Sequence, residues 1–309
     1  MAVTFTQSGL GFAKINSTTV HVTDVAYTPA MGTEPFRSGG DLAPSMIRRT
    51  GGMPVFRMTM PLASAWTALA SFGPVALTTC EIYLATFTSG VRQTTGANIY
   101  KLDVGGTPAA TGFACISRVY PSGGELPVMM AEVICYLVSG NGIADPVVTT
   151  TGSLPTAPAA PVLHALSTAV DNVTGLWGLT SWSIELGIGM EPVRADGLFY
   201  PTAYRFNQVA ASASIAHRDA AAIYTALTGD GKLASGAGII LYARLYNAST
   251  QLFDTTGYSF TFTNCLASLE SFGVSGTDVP SVGITLTAYS APGTTSLPIT
   301  VATGATIPT

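Results

Sequence analysis

Few residues of this sequence have the types and spacing of catalytic or metal-binding groups. The three histidines are isolated, with no second histidine at the spacing of zinc ligands: His21, His164 and His217. The four cysteines lie far apart in or beside apolar stretches and form no C-x-x-C pair: Cys80, Cys115, Cys135 and Cys265. We therefore predict buried, unpaired cysteines, and neither a disulfide framework nor a metal site.

Motifs for phosphate binding and for acid–base chemistry are incomplete. The glycine-rich run 229–232 ends on a lysine, but Leu233 follows where a P-loop needs a hydroxyl. Paired carboxylates for glycoside hydrolysis would have to come from distant positions such as Asp24 and Glu132. His217 precedes Arg218 and Asp219 at a predicted helix start, a structural setting. We predict no enzymatic activity and no catalytic, cofactor-binding or metal-binding residues.

The composition is unusually poor in charge. Charged residues make up 10% of the chain and hydrophobic residues 47%, with a net charge of −4, whereas about 25% charged residues is usual. Such a chain is suited to covering most of its surface with copies of itself. Arg48, Arg49 and Arg57 form the densest basic cluster, which we interpret as a partner-facing or solvated hairpin rather than a phosphate clamp.

Targeting signals are not apparent. No uninterrupted apolar run reaches the roughly 18 residues that a spanning helix needs. Residues 1–10 lack a basic region followed by an apolar core, so we predict no secretion signal.

Two eleven-residue stretches, 126–136 and 279–289, echo each other. Each begins with an aliphatic residue and a proline, continues as an alternating strand and ends on a tyrosine. In the second stretch Ile284, Leu286 and Ala288 face one way and the polar residues between them face the other, as in a half-buried strand.

The stretches that precede them match in the same order. Glu185 matches Asp24, and Thr285 stands where the first copy has Glu132. Residues 44–48, 61–72, 80–87, 98–102 and 114–117 correspond to residues 201–205, 217–228, 239–245, 258–262 and 264–268. The second pair of segments is predicted as short helices and the third as apolar strands. Matching segments in a constant order predict an internal duplication.

These patterns predict a mainly β protein with two tandem sandwich- or barrel-like domains, each with one short helix. The domains span residues 1–140 and 163–290. Residues 141–162 contain four prolines among Thr, Ala and Gly, which predicts an extended linker. The uncharged, proline-containing residues 291–309 are predicted as an extended arm that adds a strand to a neighbour. Residues 1–17 are predicted as an arm and residues 29–43 as a long loop.

This architecture resembles the tail tube (major tail) proteins of long-tailed bacteriophages. The resemblance lies in the helix plus following strand (61–87 and 217–245) and the turn plus final strand (123–136 and 276–289). It implies a structural virion protein that is made in the host cytoplasm. In that family six domains, contributed by several chains, form a ring. Two fused domains would let three chains complete a pseudo-hexameric ring, and stacked rings would form a hollow conduit for genome ejection.

The implied partners are copies of the chain, other phage tail proteins, and double-stranded DNA that passes through without sequence-specific binding. The net charge of −4 and the missing basic patch predict a mildly acidic lumen, which repels the DNA backbone and lets it slide.

Two other classes of protein remain as alternatives. A viral capsid protein with two jelly rolls would show eight short strands in each copy. A secreted carbohydrate-binding or adhesive β protein would carry exposed aromatic platforms and a signal peptide.

Overall fold

The computed structural model describes residues 6–28, 31–37, 39, 43, 46–51, 53, 55–88, 91–103, 111–123, 127–138, 147–158, 164–171, 179–195, 201–218, 239–247, 249–273, 281–290 and 297–307. Within these ranges the chain is mainly β, as the sequence predicts, and contains one short helix.

The strands of the first half of the chain are β1 Thr6–Ile15, β2 Thr18–His21, β3 Asp24–Thr28, β4 Met31–Phe36, β5 Met46–Gly51, β6 Val55–Pro61, β7 Val75–Leu77, β8 Cys80–Thr88, β9 Val91–Arg92, β10 Thr95–Asp103, β11 Thr111–Ser122, β12 Val128–Val138 and β13 Val147–Ser153. Those of the second half are β14 His164–Asp171, β15 Leu179–Val193, β16 Ala203–His217, β17 Ile239–Asn247, β18 Leu252–Phe262, β19 Cys265–Gly273, β20 Ser281–Ala288 and β21 Ile299–Thr306. Helix α1 is Leu62–Leu69.

Nine strands form one antiparallel sheet, which we call the large sheet. Eight of them run in the order β19-β20-β16-β15-β11-β12-β6-β3, and β7 pairs with β11. Both halves of the chain contribute to this sheet. They meet where β11 pairs with β15, with Arg118 opposite Glu185 and Val119 opposite Ile184.

The described residues also form two smaller sheets and a hairpin. The first has the order β13-β10-β8-β1-β2 with β9 on β8, and the second has the order β14-β17-β18-β21. Strands β4 and β5 form a separate hairpin.

One hydrophobic core joins the large sheet to both smaller sheets. Alternate residues of β12, such as Ala131 and Val133, are fully buried in it. The core also connects the two halves: Phe260 of β18 contacts Trp182 of β15 at 5.1 Å and stacks on Phe72 of the first half at 6.1 Å, between ring centroids. The burial of these rings stabilises both halves together.

Helix α1 forms where the sequence predicts it, within residues 61–72. Pro61 precedes it, with a φ of −56° that suits a helix start. Leu62, Ala65 and Leu69 are its buried side, and the helix ends at Ala70, a non-glycine residue in the left-handed conformation. The second predicted helix, residues 217–228, lies outside the described residues from 219 onward. His217 itself ends β16 and is buried, so its predicted place at a helix start is wrong.

Several segments predicted as arms, loops or linkers are strands. Within the predicted linker 141–162, β13 pairs with β10. Within the predicted arm 291–309, β21 pairs with β18 of its own chain, so this segment is not an arm free to join a neighbour. Their prolines lie at the ends of β13 and β21 or beyond, and both strands are sheet edges, where proline is tolerated.

Two further segments differ from the prediction in the same direction. Residues 1–17, predicted as an arm, contain β1, and the predicted loop 29–43 contains β4. The domain limits 1–140 and 163–290 stay predictions.

Candidate functional site

Part of the outward face of the large sheet, opposite its core face, carries small polar and charged residues. In β16, Ala211, Ala213 and Ile215 are buried in the core, while Ser212 and Ser214 alternate with them on the other face. In β12, Glu132 lies on that face between the buried Ala131 and Val133. Around Glu132 the sheet therefore has an apolar side and a polar side. Further along β12 the outward face is apolar as well, because Ile134 and Tyr136 are buried there in a second cluster with Val55, Cys115 and Tyr204.

A row of directly paired residues crosses this face from one edge strand toward the other. The ladders place Glu132 at its centre, between Thr59 and Arg118. The row reads Asp24, Thr59, Glu132, Arg118, Glu185, Ser212, Thr287 and Leu266. Asp24 and Glu132, the distant carboxylates that glycoside hydrolysis would have to combine, lie in this row with Thr59 between them. The usual strand spacing puts them about 10 Å apart.

Arg118 bridges two carboxylates where the two halves of the chain meet. Its Nη1 lies 3.7 Å from Glu132 Oε1 and its Nε lies 3.6 Å from Glu185 Oε1. The guanidinium also lies 4.9 Å from the ring centroid of Tyr120. Because these side chains are partly exposed, with 63% of the Glu185 side chain open to solvent, each ion pair contributes roughly 0–1 kcal/mol.

The charged side chains placed on this face are mostly acidic. Four are carboxylates and two are guanidinium groups: Asp24, Glu132, Glu185 and Glu270, with Arg57 and Arg118. An open groove of about 400 Å³ runs across the face and includes Arg118, Ser183, Ser214 and Glu270. Small residues such as Gly283 also line it.

The large sheet ends on two strands whose outer edges have no partner within the described part of the chain, β3 and β19. On β19, Leu269 is 39% exposed and Phe272 is 60% exposed. Both side chains lie on the core face of the sheet, because their partners in β20, Ile284 and Val282, are buried in the core. These exposed edge residues were not identified from the sequence, because a strand pattern does not show whether its edge is paired.

Two hairpins expose apolar side chains at a distance from the core. Phe36, Met46 and Ile47 of the β4–β5 hairpin are each more than half exposed. The β15–β16 hairpin exposes Val193 and Phe206. Arg48 and Arg49 of the basic cluster lie in β5, while Arg57 lies exposed on β6. The prediction of a hairpin at this cluster is therefore confirmed for Arg48 and Arg49.

The cysteines are buried and free, as predicted. Burial raises the pKa of the Cys115 thiol to about 12. Contact with the Cys80 thiol, together with burial, raises the pKa of Cys135 well above its ordinary value. The Cys115 and Cys135 thiols therefore stay protonated and unreactive at neutral pH.

The described ranges contain no group of three His, Cys, Asp or Glu residues placed to hold a metal ion. None of the helices described is long and apolar enough to cross a membrane.

No protein-family model matches this chain, and a search of curated proteins gives no match either.

Proposed function

We propose that this chain is the tail tube subunit of a long-tailed bacteriophage. Three copies form a pseudo-hexameric ring, and stacked rings form the hollow conduit through which double-stranded DNA leaves the virion. In this proposal the protein is structural rather than enzymatic. Its partners are copies of itself and other tail proteins, and it resides in the phage tail after synthesis in the host cytoplasm.

A duplicated domain is supported by the order of strands in the two halves. In the large sheet the first half contributes β3-β6-β12-β11, and the second contributes β15-β16-β20-β19. The corresponding strands follow each other along the chain in the same order. The smaller sheets repeat this agreement, β1-β8-β10-β13 in one and β14-β17-β18-β21 in the other.

The observation that carries the proposal is the head-to-tail joint between these halves. Strand β11, the last of the first set, pairs with β15, the first of the second set. The two remaining ends of the large sheet are equivalent to these joined strands: β3 corresponds to β15, and β19 corresponds to β11. A head-to-tail contact between two equivalent units can be repeated by further copies until a ring closes. Closure also removes the free sheet edges, which otherwise promote aggregation.

The outward face of the large sheet suits the lumen of such a ring. Around the row of charged residues it carries serine and threonine, with more carboxylates than guanidinium groups among those described above. A surface of this kind repels phosphate and offers no row of arginines to hold it. Another part of the same face is covered by the apolar cluster of Val55, Cys115, Ile134, Tyr136 and Tyr204. An assembled ring whose lumen is lined by arginine would contradict this assignment.

Negative-stain electron microscopy across a concentration series of the purified chain tests the proposal. We expect hollow tubes or stacked rings with six-fold appearance, and a ring mass of three chains. Mass photometry of the smallest ring provides that mass independently. Closed shells would support the capsid alternative, and a monomer that never assembles would overturn the proposal.

A further inference from the structure

We propose that β3 of one chain pairs with β19 of the next, in a register that places Val25 opposite Leu269 of the neighbouring copy. This inference rests on the proposed function, because it treats the free edges as the ring contact. It adds the identity of the edges, the direction of the strands and the residue-level register.

The strand ladders identify equivalent residues in the two halves. The echoing stretches align Glu132 with Thr285. On one side these two residues pair with Arg118 and Ser268, respectively. On the other side they pair with Thr59 and Ser214. Arg118 is therefore equivalent to Ser268, and Val119, the next residue, is equivalent to Leu269.

The same alignment extends by one strand, to β3 in the first half and β15 in the second. Met58 pairs with Val133 and with Val25, while Ala213 pairs with Leu286 and with Ile184. Because the echoing stretches align Val133 with Leu286, Val25 is equivalent to Ile184. The ladders align Asp24 with Ser183, two residues away from the Glu185 that the sequence comparison matched to it, and on the same face.

The joint inside the chain then specifies the joint between chains. Inside the chain Val119 pairs with Ile184, antiparallel. Substituting the equivalent residues pairs Leu269 of one copy with Val25 of the next. The residue after Val25 follows the same rule, so Ala26 lies opposite Ser268, as Glu185 lies opposite Arg118.

Burial at the two sites agrees with this pairing. Val119 and Ile184 have no exposed surface, because each covers the other's edge. Their equivalents face the same core but lie at the ends of the sheet: Val25 is partly buried against the core, and Leu269 is 39% exposed. Pairing the two edges would cover Leu269 and the neighbouring Phe272, which is 60% exposed in the single chain.

Neither edge carries the residues that usually block strand addition. Strand β3 (DVAYT) and strand β19 (CLASLESFG) contain no lysine, arginine or proline. Each carries one carboxylate, Asp24 or Glu270, and its remaining residues are small, hydroxyl or apolar. Such an edge is suited to a partner strand.

A double variant, Val25→Cys with Leu269→Cys, tests the register. Opposed residues on neighbouring antiparallel strands have Cα atoms about 4.5–5.5 Å apart, within the range that a disulfide needs. In one chain the two positions lie at opposite ends of the large sheet, so any bond between them joins two copies. We expect mild oxidation to yield covalent dimers and trimers on a non-reducing gel, with little material above the closed trimer.

The matched control is Ala26→Cys with Leu269→Cys. Ala26 lies next to Val25 but on the other face of the sheet, so we expect it to remain monomeric on the same gel. Two single variants, Val25→Cys and Leu269→Cys, keep the test valid if the double variant does not fold. A mixture of the two single variants should give covalent dimers, whereas neither single variant should give them by itself. The native cysteines are buried and free, so the unmodified chain sets the background.

The outcomes separate this inference from the proposed function. Tubes by microscopy with no Val25–Leu269 crosslink, or with the Ala26 pair crosslinking instead, would overturn the register while leaving the tube in place. Crosslinked trimers without tubes or stacked rings would support the register and overturn the tube function. Crosslinks in every combination would indicate random collision and overturn the register.

Discussion

At the residue scale, Glu81 is the carboxylate most firmly held by its surroundings. The Tyr83 hydroxyl donates to its Oε2 at 2.7 Å, and Lys101 Nζ donates to its Oε1 at 3.1 Å. Burial acts to raise the pKa of Glu81, but the hydrogen bond from Tyr83 and the ion pair with Lys101 outweigh it, and the pKa lies below its ordinary value. Because the pKa is lower in the folded chain, the ionised form of Glu81 stabilises the fold above its unfolded pKa, and this contribution is lost as the pH falls through the folded pKa.

We therefore expect Glu81→Gln to lower the free energy of unfolding by about 1–2 kcal/mol near neutral pH, a typical value for hydrogen bonds to a charged group. The difference should shrink at acidic pH, as the pH falls through the folded pKa of Glu81 and the wild-type carboxyl is protonated as well. Urea denaturation at both pH values measures this. Glu270→Gln, at an exposed position, serves as the control and should stay within about 0.5 kcal/mol of wild type. A loss that is equal at both pH values would show that the charge is not the cause.

At the same scale, the burial of the four cysteines is predictable from the sequence, because a small apolar side chain in an apolar strand has few alternatives to burial. It does not predict the ion pairs of Arg118. Glu132 and Glu185 approach Arg118 through two different ladders, and only the sheet order brings these distant segments together.

At the scale of elements, helix α1 ends in a strained residue. Ala70 has a φ of 49°, and its N–H donates to the carbonyl of Trp66. A left-handed conformation costs an L-residue with a Cβ roughly 1 kcal/mol, whereas glycine adopts it freely.

Ala70→Gly should therefore stabilise the protein by about 0.5–1 kcal/mol, because Ala70 is exposed and loses no packing. Thermal unfolding followed by circular dichroism measures the effect. In Ala68→Gly, the same change inside the helix should destabilise by roughly 1 kcal/mol. Loss of stability in both variants would contradict the assigned role of Ala70.

Central strands that are mostly apolar, such as β8 and β12, are predictable because a short apolar run in the sequence agrees with burial on both faces of the strand. Strands β13 and β21 are not. Each is a threonine-containing segment with prolines at or beyond its ends, and each becomes a strand only by pairing with the edge of a sheet. Strand preference depends on such context more than on the segment itself.

At the scale of the whole molecule, the two halves share one sheet and one core. Phe260 contacts Trp182 of its own half and Phe72 of the other. A two-domain chain with independent cores would unfold in two steps, whereas a shared core couples the halves. We expect a single calorimetric transition for the unassembled chain.

Phe260→Ala should lower the temperature of that whole transition, since truncating a buried phenylalanine costs about 3–5 kcal/mol. Phe253→Ala changes the same residue type in the same strand, where the ring is 44% exposed, and should have a much smaller effect. Differential scanning calorimetry distinguishes the outcomes. If the chain showed two transitions and Phe260→Ala lowered the temperature of only one of them, the halves would be independent.

The ladder alignment of the two halves also determines the symmetry of charge. Asp24, Arg57, Glu132 and Arg118 stand where the other half has Ser183, Ser212, Thr285 and Ser268, and Glu185 stands where the first half has Ala26. In a ring of three chains the backbone would repeat six times around the axis, but the electrostatic potential would repeat only three times. Image averaging of such a ring with six-fold symmetry would superimpose carboxylates on hydroxyl groups, and averaging with three-fold symmetry would keep them apart.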